Sequence, residues 1–219
     1  MISQLAELRA IAILRTKTAP AEFTLRAARA IGKAGVRFIE VTLTCPDAVQ
    51  VISALSDASA PYRVGAGTVT TPADLDRVVD AGAKFIVTPV VSLPVIRRAR
   101  ERAVPIIAGA ATATEAWTAS QAGADLVKIF PARQLGGPDY IRALLGPLGH
   151  LRLVPTGGVS IDDAAGYLRA GAFAVGVGGG AFEVTLPEDE LGRRARALAL
   201  LAVRGTDPDG AQAARGPQD

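Results

Sequence analysis

Eight short apolar runs punctuate the chain, at Ile11–Leu14, Phe38–Leu43, Val64–Val69, Phe85–Val87, Val104–Ala108, Leu126–Phe130, Leu151–Val154 and Phe173–Val177. They read as continuous apolar stretches rather than alternating ones, as parallel strands covered by helices do. Helix-start signals stand between them: Pro20 with Glu22, Pro46-Asp47, Thr71-Pro72-Ala73-Asp74, and Ser160 with Asp162-Asp163. Thr112, followed three residues later by Glu115, predicts a capping box. An Ala-Gly pair recurs at Ala34-Gly35, Ala81-Gly82, Ala122-Gly123 and Ala170-Gly171, with the glycines 47, 41 and 48 residues apart. Each pair ends a helix-like stretch and opens an apolar run, where the residue past the helix end commonly needs positive φ. That spacing is long for one strand–helix unit and right for two. Eight strands alternating with eight helices predict an α/β fold, a closed (β/α)8 TIM barrel. An extra N-terminal helix is expected from the amphipathic segment Met1 to Ala10. Residues 1–204 read as a single barrel domain, and 205–219, rich in Gly, Pro, Asp and Ala, as a flexible C-terminal tail.

Composition narrows the partners. A chain of 219 residues with 49% hydrophobic positions should bury roughly 70% of its unfolded surface, so neither metals nor disulfides are needed to hold it. The single Cys45 cannot form an internal disulfide, and a reducing cytoplasm is expected. No run approaches the ~20 apolar residues that span a bilayer, and Met1 to Ala10 lacks a secretory pattern. The net charge of +3 is carried mainly by arginine, since the lysines are only Lys17, Lys33, Lys84 and Lys128. Those arginines are spread along the chain and aromatics are sparse, which argues against nucleic acid. A small anionic substrate suits the same bias.

In a barrel of this type the chemistry belongs at the carboxyl ends of the strands. The polar residues there are Arg15, Glu40, Thr68, Thr88-Pro89, Lys128, Thr156-Gly157-Gly158 and Gly178-Gly179-Gly180. Lys128 stands among Leu126, Val127, Ile129 and Phe130. A buried ammonium is costly and commonly gives up its proton, and a neutral lysine is the nucleophile that forms imines. A structural reading has its tip reaching the rim or pairing with a carboxylate. Lys84, which directly follows Ala81-Gly82-Ala83, belongs on the opposite, stability face. Glu40 sits among Phe38, Ile39, Val41 and Leu43. It is either a structural partner of Lys128 or a general acid/base. The glycines after the seventh and eighth strands fit a phosphate site built from backbone N–H groups, or plain tight turns. His150 and Trp117 read as structural, and one His with one Cys assembles no metal site. These residues leave open a phosphate-binding barrel isomerase or epimerase, with Glu40 as base, and a non-catalytic barrel that serves as an assembly subunit.

Taken together, the motifs carry a resemblance. They are Ala12-Ile13-Leu14-Arg15, Ile39-Glu40-Val41-Thr42-Leu43, Gly65-Ala66-Gly67-Thr68-Val69, Thr88-Pro89, Val127-Lys128-Ile129-Phe130-Pro131-Ala132 and Pro155-Thr156-Gly157-Gly158-Val159. Over Ala12 to Phe182 the chain resembles the 2-keto-3-deoxy-6-phosphogluconate / 4-hydroxy-2-oxoglutarate aldolases. That resemblance implies a class I aldolase, without metal or other cofactor and typically a homotrimer, acting on a small 2-keto acid phosphate. It implies Lys128 as the Schiff-base residue and Glu40 as general acid/base. Thr68, Pro89, Phe130 and Thr156 would line the pyruvyl pocket, and Gly157, Gly158, Gly178 and Gly179 would hold the phosphate. Many relatives carry an Arg after the Thr-Leu of the second strand; here Thr44-Cys45-Pro46 follows Leu43, so the substrate carboxylate is assigned to Arg15. Val90 and Gly180 stand where the family often has Gly and Ser. Thr112-Ala113-Thr114-Glu115-Ala116 is similar to the galactonate-specific branch.

Overall fold

The computed structural model describes residues 2–204, so the tail expected at 205–219 lies outside the described residues. In chain order the elements are α1 (Ile2–Leu8), β1 (Ala10–Leu14), α2 (Ala21–Lys33), β2 (Phe38–Thr42), α3 (Ala48–Leu55) and β3 (Arg63–Gly67). There follow α4 (Pro72–Asp80), β4 (Ile86–Val87), α5 (Leu93–Glu101), β5 (Ile106–Ala110), α6 (Ala113–Gln121) and β6 (Leu126–Ile129). The last are α7 (Gly137–Leu145), β7 (Leu153–Pro155), α8 (Ala164–Arg169), β8 (Val175–Val177), a 3-10 turn (Gly179–Phe182) and α9 (Glu188–Arg204). All the pairings are parallel, in the order β7-β6-β5-β4-β3-β2-β1-β8. The barrel is nearly closed: β7 and β8 meet through one bridge, Thr156 with Gly176, and a Phe173 N–H that donates to Leu153 at 2.8 Å. This is the TIM barrel with an added N-terminal helix that the apolar runs predict.

The helix signals act as the sequence implies. Thr112 and Glu115 form the full capping box, and Thr71 accepts from the Asp74 N–H. Gly35, Gly82, Gly123 and Gly171 hold φ between 96° and 111°, which an L side chain resists. Four strands start later than their apolar runs, β4 by one residue and β5, β7 and β8 by two. The Val104 N–H is spent on the end of α5, donating to Ala99, so β5 begins at Ile106 and runs on to Ala110. The Leu151 N–H likewise turns back to Leu148, and β7 starts at Leu153.

Period-2 geometry sorts each strand between two apolar layers. Ala12, Leu14, Ile39, Val41, Val127 and Ile129 face the helices. Ile11, Phe38, Phe85, Ile107, Leu126 and Val154 fill the barrel from below, where α1 inserts Leu5, and the Phe38 and Phe85 rings meet edge-on at 6.1 Å. Room for such side chains comes from glycine on neighbouring strands: a Cβ on Gly65 would lie 2.5 Å from the Phe85 ring. Gly65→Ala is expected to destabilise the fold by roughly 1–3 kcal/mol through overpacking. Gly180→Ala, where a Cβ meets nothing within 4 Å, should change stability by under about 0.5 kcal/mol. Urea midpoints at unchanged m would report both, and equal values would refute the packing account.

Candidate active site

Glu40 follows Phe38 by two residues and Lys128 follows Leu126 by two, so both point into the barrel one layer above its apolar floor. Four steps around the barrel separate β2 from β6, which sets the two side chains across its axis. Lys128 Nζ lies 3.9 Å from Glu40 Oε1, and the side chains are only 4% and 2% exposed. That distance exceeds a hydrogen bond. Among the described residues Glu40 Oε1 has no hydrogen-bond partner, an unusual state for a buried oxygen. On β3 the register neighbours of this stretch are glycines, and a Cβ on Gly67 would sit on the Glu40 carboxylate. The missing side chain is therefore what leaves the carboxylate its place.

Above the pair opens a cavity of about 830 Å3, within the range of small-molecule sites. Of the sequence-predicted residues, Arg15, Lys128, Phe130, Thr156, Gly157, Gly158, Gly178 and Gly179 line it. Lys128 Nζ stands 5.4 Å from the centre of the Phe130 ring. Thr156 takes the space a side chain on Gly176 would fill, so the barrel seam itself positions its hydroxyl. Gly157 and Gly158 have φ of 88° and 72°, and any Cβ there would strike Phe130 or Arg133. Glu40 lines a small void next to the cavity, and Ile13, Lys128 and Thr156 border both spaces.

Two predicted residues stand apart. Thr68 holds φ 61°, rare for a β-branched residue, and lines a separate cleft with Thr44 and Asp74. It touches the site by accepting a long 3.4 Å hydrogen bond from Arg15 Nη2. Pro89 does not line the cavity, because its backbone packs over Gly109. The buried Thr88 fixes that crossing: its hydroxyl accepts from the Gly109 N–H and donates to the Val90 carbonyl.

With a nearly buried lysine–carboxylate pair below a cationic, glycine-walled cavity in place, comparison with known proteins is decisive. The family model for KDPG and KHG aldolases matches residues 1–192. The chain belongs to the KDPG and KHG aldolase family. It is 40% identical over 170 residues to the 2-dehydro-3-deoxy-6-phosphogalactonate aldolase of Escherichia coli, covering 77% of this chain and 82% of that protein. To the 2-dehydro-3-deoxy-phosphogluconate aldolase of Dickeya dadantii it is 37% identical over 147 residues, 67% and 69% of the two. Among solved structures, the KDPG aldolase of Legionella pneumophila, with pyruvate captured as a covalent carbinolamine, superposes with a TM-score of 0.76 at 26% identity. That match covers 93% of this chain and 96% of the other. An aldolase thus takes the place of the epimerase and assembly-subunit readings.

In this aldolase the cavity holds residues that reasoning from strand ends passes over: Ser160, Ile161 and Asp162 before α8, and Arg193, Arg194 and Ala197 on α9. A helix that follows the last strand must begin at the catalytic face, so its first turns were the available signal. Lys84 and His150 are exposed away from the cavity, and Lys84 lines a cleft with Gln4 and Glu7 of α1. Among the described residues no helix is long and apolar enough to cross a membrane. Gly67→Ala is expected to displace the Glu40 carboxylate and cut turnover about 10²-fold while the protein stays folded by circular dichroism. Wild-type turnover in that variant would show that the carboxylate's position is immaterial.

Proposed function

We propose that this barrel, a single domain over residues 1–204, is a class I aldolase that cleaves 2-keto-3-deoxy-6-phosphogluconate or its galactonate epimer through a Schiff base on Lys128. The observation that carries the reading is the Lys128–Glu40 approach of 3.9 Å at the base of the cavity. The lysine is buried, borders the cavity above it, and has beside it a carboxylate oxygen that has no other partner among the described residues. The carbinolamine in the Legionella pneumophila structure is consistent with such chemistry.

In the first step Glu40 takes a proton from Lys128, and the neutral amine attacks the C2 ketone. Loss of water, with protons passed by Glu40, leaves a protonated imine. Glu40 then removes the proton from the C4 hydroxyl. The C3–C4 bond breaks, its electron pair runs into the iminium, and C4 departs as the aldehyde of glyceraldehyde 3-phosphate. The remaining enamine takes a proton at C3, and water releases pyruvate and restores Lys128. Arg15 binds the substrate carboxylate, where a guanidinium meets two oxygens. Phe130 and Thr156 border the reacting carbons beside Lys128. Thr68 acts through Arg15, and Pro89 shapes the rim through Gly109. Gly157, Gly158, Gly178 and Gly179 offer backbone N–H groups to the phosphate. We place the enzyme in the cytoplasm as a homotrimer. The buried free thiol of Cys45 and the exposed apolar Val90, Leu93 and Trp117 on and beside α5 and α6 support these assignments.

Lys128→Arg keeps a cation but cannot form an imine, so it should fold and lose nearly all turnover. As much as a tenth of wild-type activity would sink the Schiff-base assignment. Glu40→Gln should lower kcat roughly 10²–10⁴-fold, the worth of a positioned acid/base. A large change in stability with intact kcat would make Glu40 a structural partner only.

A further inference from the structure

The two ends of the cavity are cationic in different ways. At one end stand the buried Lys128 and the exposed Arg15, which directly follows β1. At its outer end, beside the glycine turns, stand Arg193 and Arg194 of α9, and Asp162 is the only acidic residue in the lining. Arg194 is fixed: Nη1 donates to the Gly180 carbonyl at 2.6 Å and to the Ala181 carbonyl at 3.2 Å, and Nε pairs with Glu190. It thereby holds two carbonyls of the 3-10 turn that follows Gly178. Gly179 and Gly180 have open space where a Cβ would be. Arg193 is tethered to the same Glu190, yet its side chain is 70% exposed and borders the cavity.

We propose that Arg193 binds the distal phosphate of the substrate and that Arg194 is a positioning residue, holding the Gly178–Ala181 turn in the shape that receives it. The inference rests on the reading that the substrate is phosphorylated. Neutral N–H groups at the glycine turns supply direction, while a dianion also calls for charge, and a guanidinium offers it as a fork of donors. Glu190 keeps both arginines oriented before substrate arrives, which lowers the ordering cost at the moment of binding. Cations at both ends then match an acid with an anionic group at each end, and the guanidinium fork beside the glycine turns favours the phosphate at the end away from Lys128.

The test compares the phosphorylated six-carbon 2-keto acid with 4-hydroxy-2-oxoglutarate, which lacks the phosphate. Wild type should favour the phosphorylated acid. Arg193→Met should lower kcat/KM for it at least tenfold, mainly through KM, and lower that for 4-hydroxy-2-oxoglutarate less than threefold. Arg193→Lys should recover most of the loss, and Arg194→Met should act in the same direction. Arg196→Met, on the same helix but outside the cavity lining, should alter neither substrate. Inhibition by inorganic phosphate should weaken in Arg193→Met in parallel. Where Met perturbs the helix, as judged by circular dichroism, Arg193→Gln takes its place. If wild type prefers the phosphorylated acid while Arg193→Met loses equally on both substrates, or on neither, the arginine assignment falls and the substrate reading stands. If wild type shows no preference for the phosphorylated acid, the substrate reading falls and takes the inference with it.

Discussion

A lysine and a glutamate facing each other across an apolar barrel are the constraint around which this structure is arranged. At 3.9 Å and an effective dielectric near 20 their attraction is about 4 kcal/mol. Removing each ion from water costs several kcal/mol. The pair therefore adds little net stability, and its place in the fold has to be held by other means. Packing supplies them. Leu126 and Phe38 sit directly beneath, Phe85 and Val154 complete the floor, and Gly67 leaves the carboxylate its space. The Lys128 amine is thus walled off from below and borders the cavity above.

The same logic extends to the rim. Thr88 ties the end of β4 to Gly109, Thr156 closes the seam between β7 and β8, and Arg194 ties the turn after β8 to α9. Each contact joins neighbouring strand ends or the helix that follows them. Polar groups at the mouth thereby acquire fixed positions although most lie on loops, and fixed positions are what chemistry on a small substrate requires.

Much of this was legible in the sequence because its cause is local. Continuous apolar runs mark parallel strands, the four Ala-Gly pairs mark helix ends, and a lysine in Leu126–Phe130 stands out against its neighbours. The onset of β5 and β7 was less legible, since a helix end and a turn take the Val104 and Leu151 N–H groups, a competition that hydropathy does not record. Thr68 and Pro89 stand at strand ends, and the resemblance implies a place in the pyruvyl pocket; an αL backbone at Thr68 and the close crossing of Pro89 over Gly109, neither visible in hydropathy, set their positions beside the cavity lining. Arg193 and Arg194 look like any charged pair on an amphipathic helix. Only the return of α9 to the mouth gives them a site to face.

The central claim is that Lys128 becomes covalently bonded to the substrate, and chemical trapping addresses it without any variant. The protein is incubated with pyruvate, reduced with sodium borohydride, digested, and its peptides analysed by mass spectrometry. A single reduced pyruvate adduct on Lys128, absent when either reagent is omitted, is the result predicted by this account. Absence of an adduct under conditions where the enzyme is active, or an adduct on Lys17, Lys33 or Lys84 instead, would contradict it.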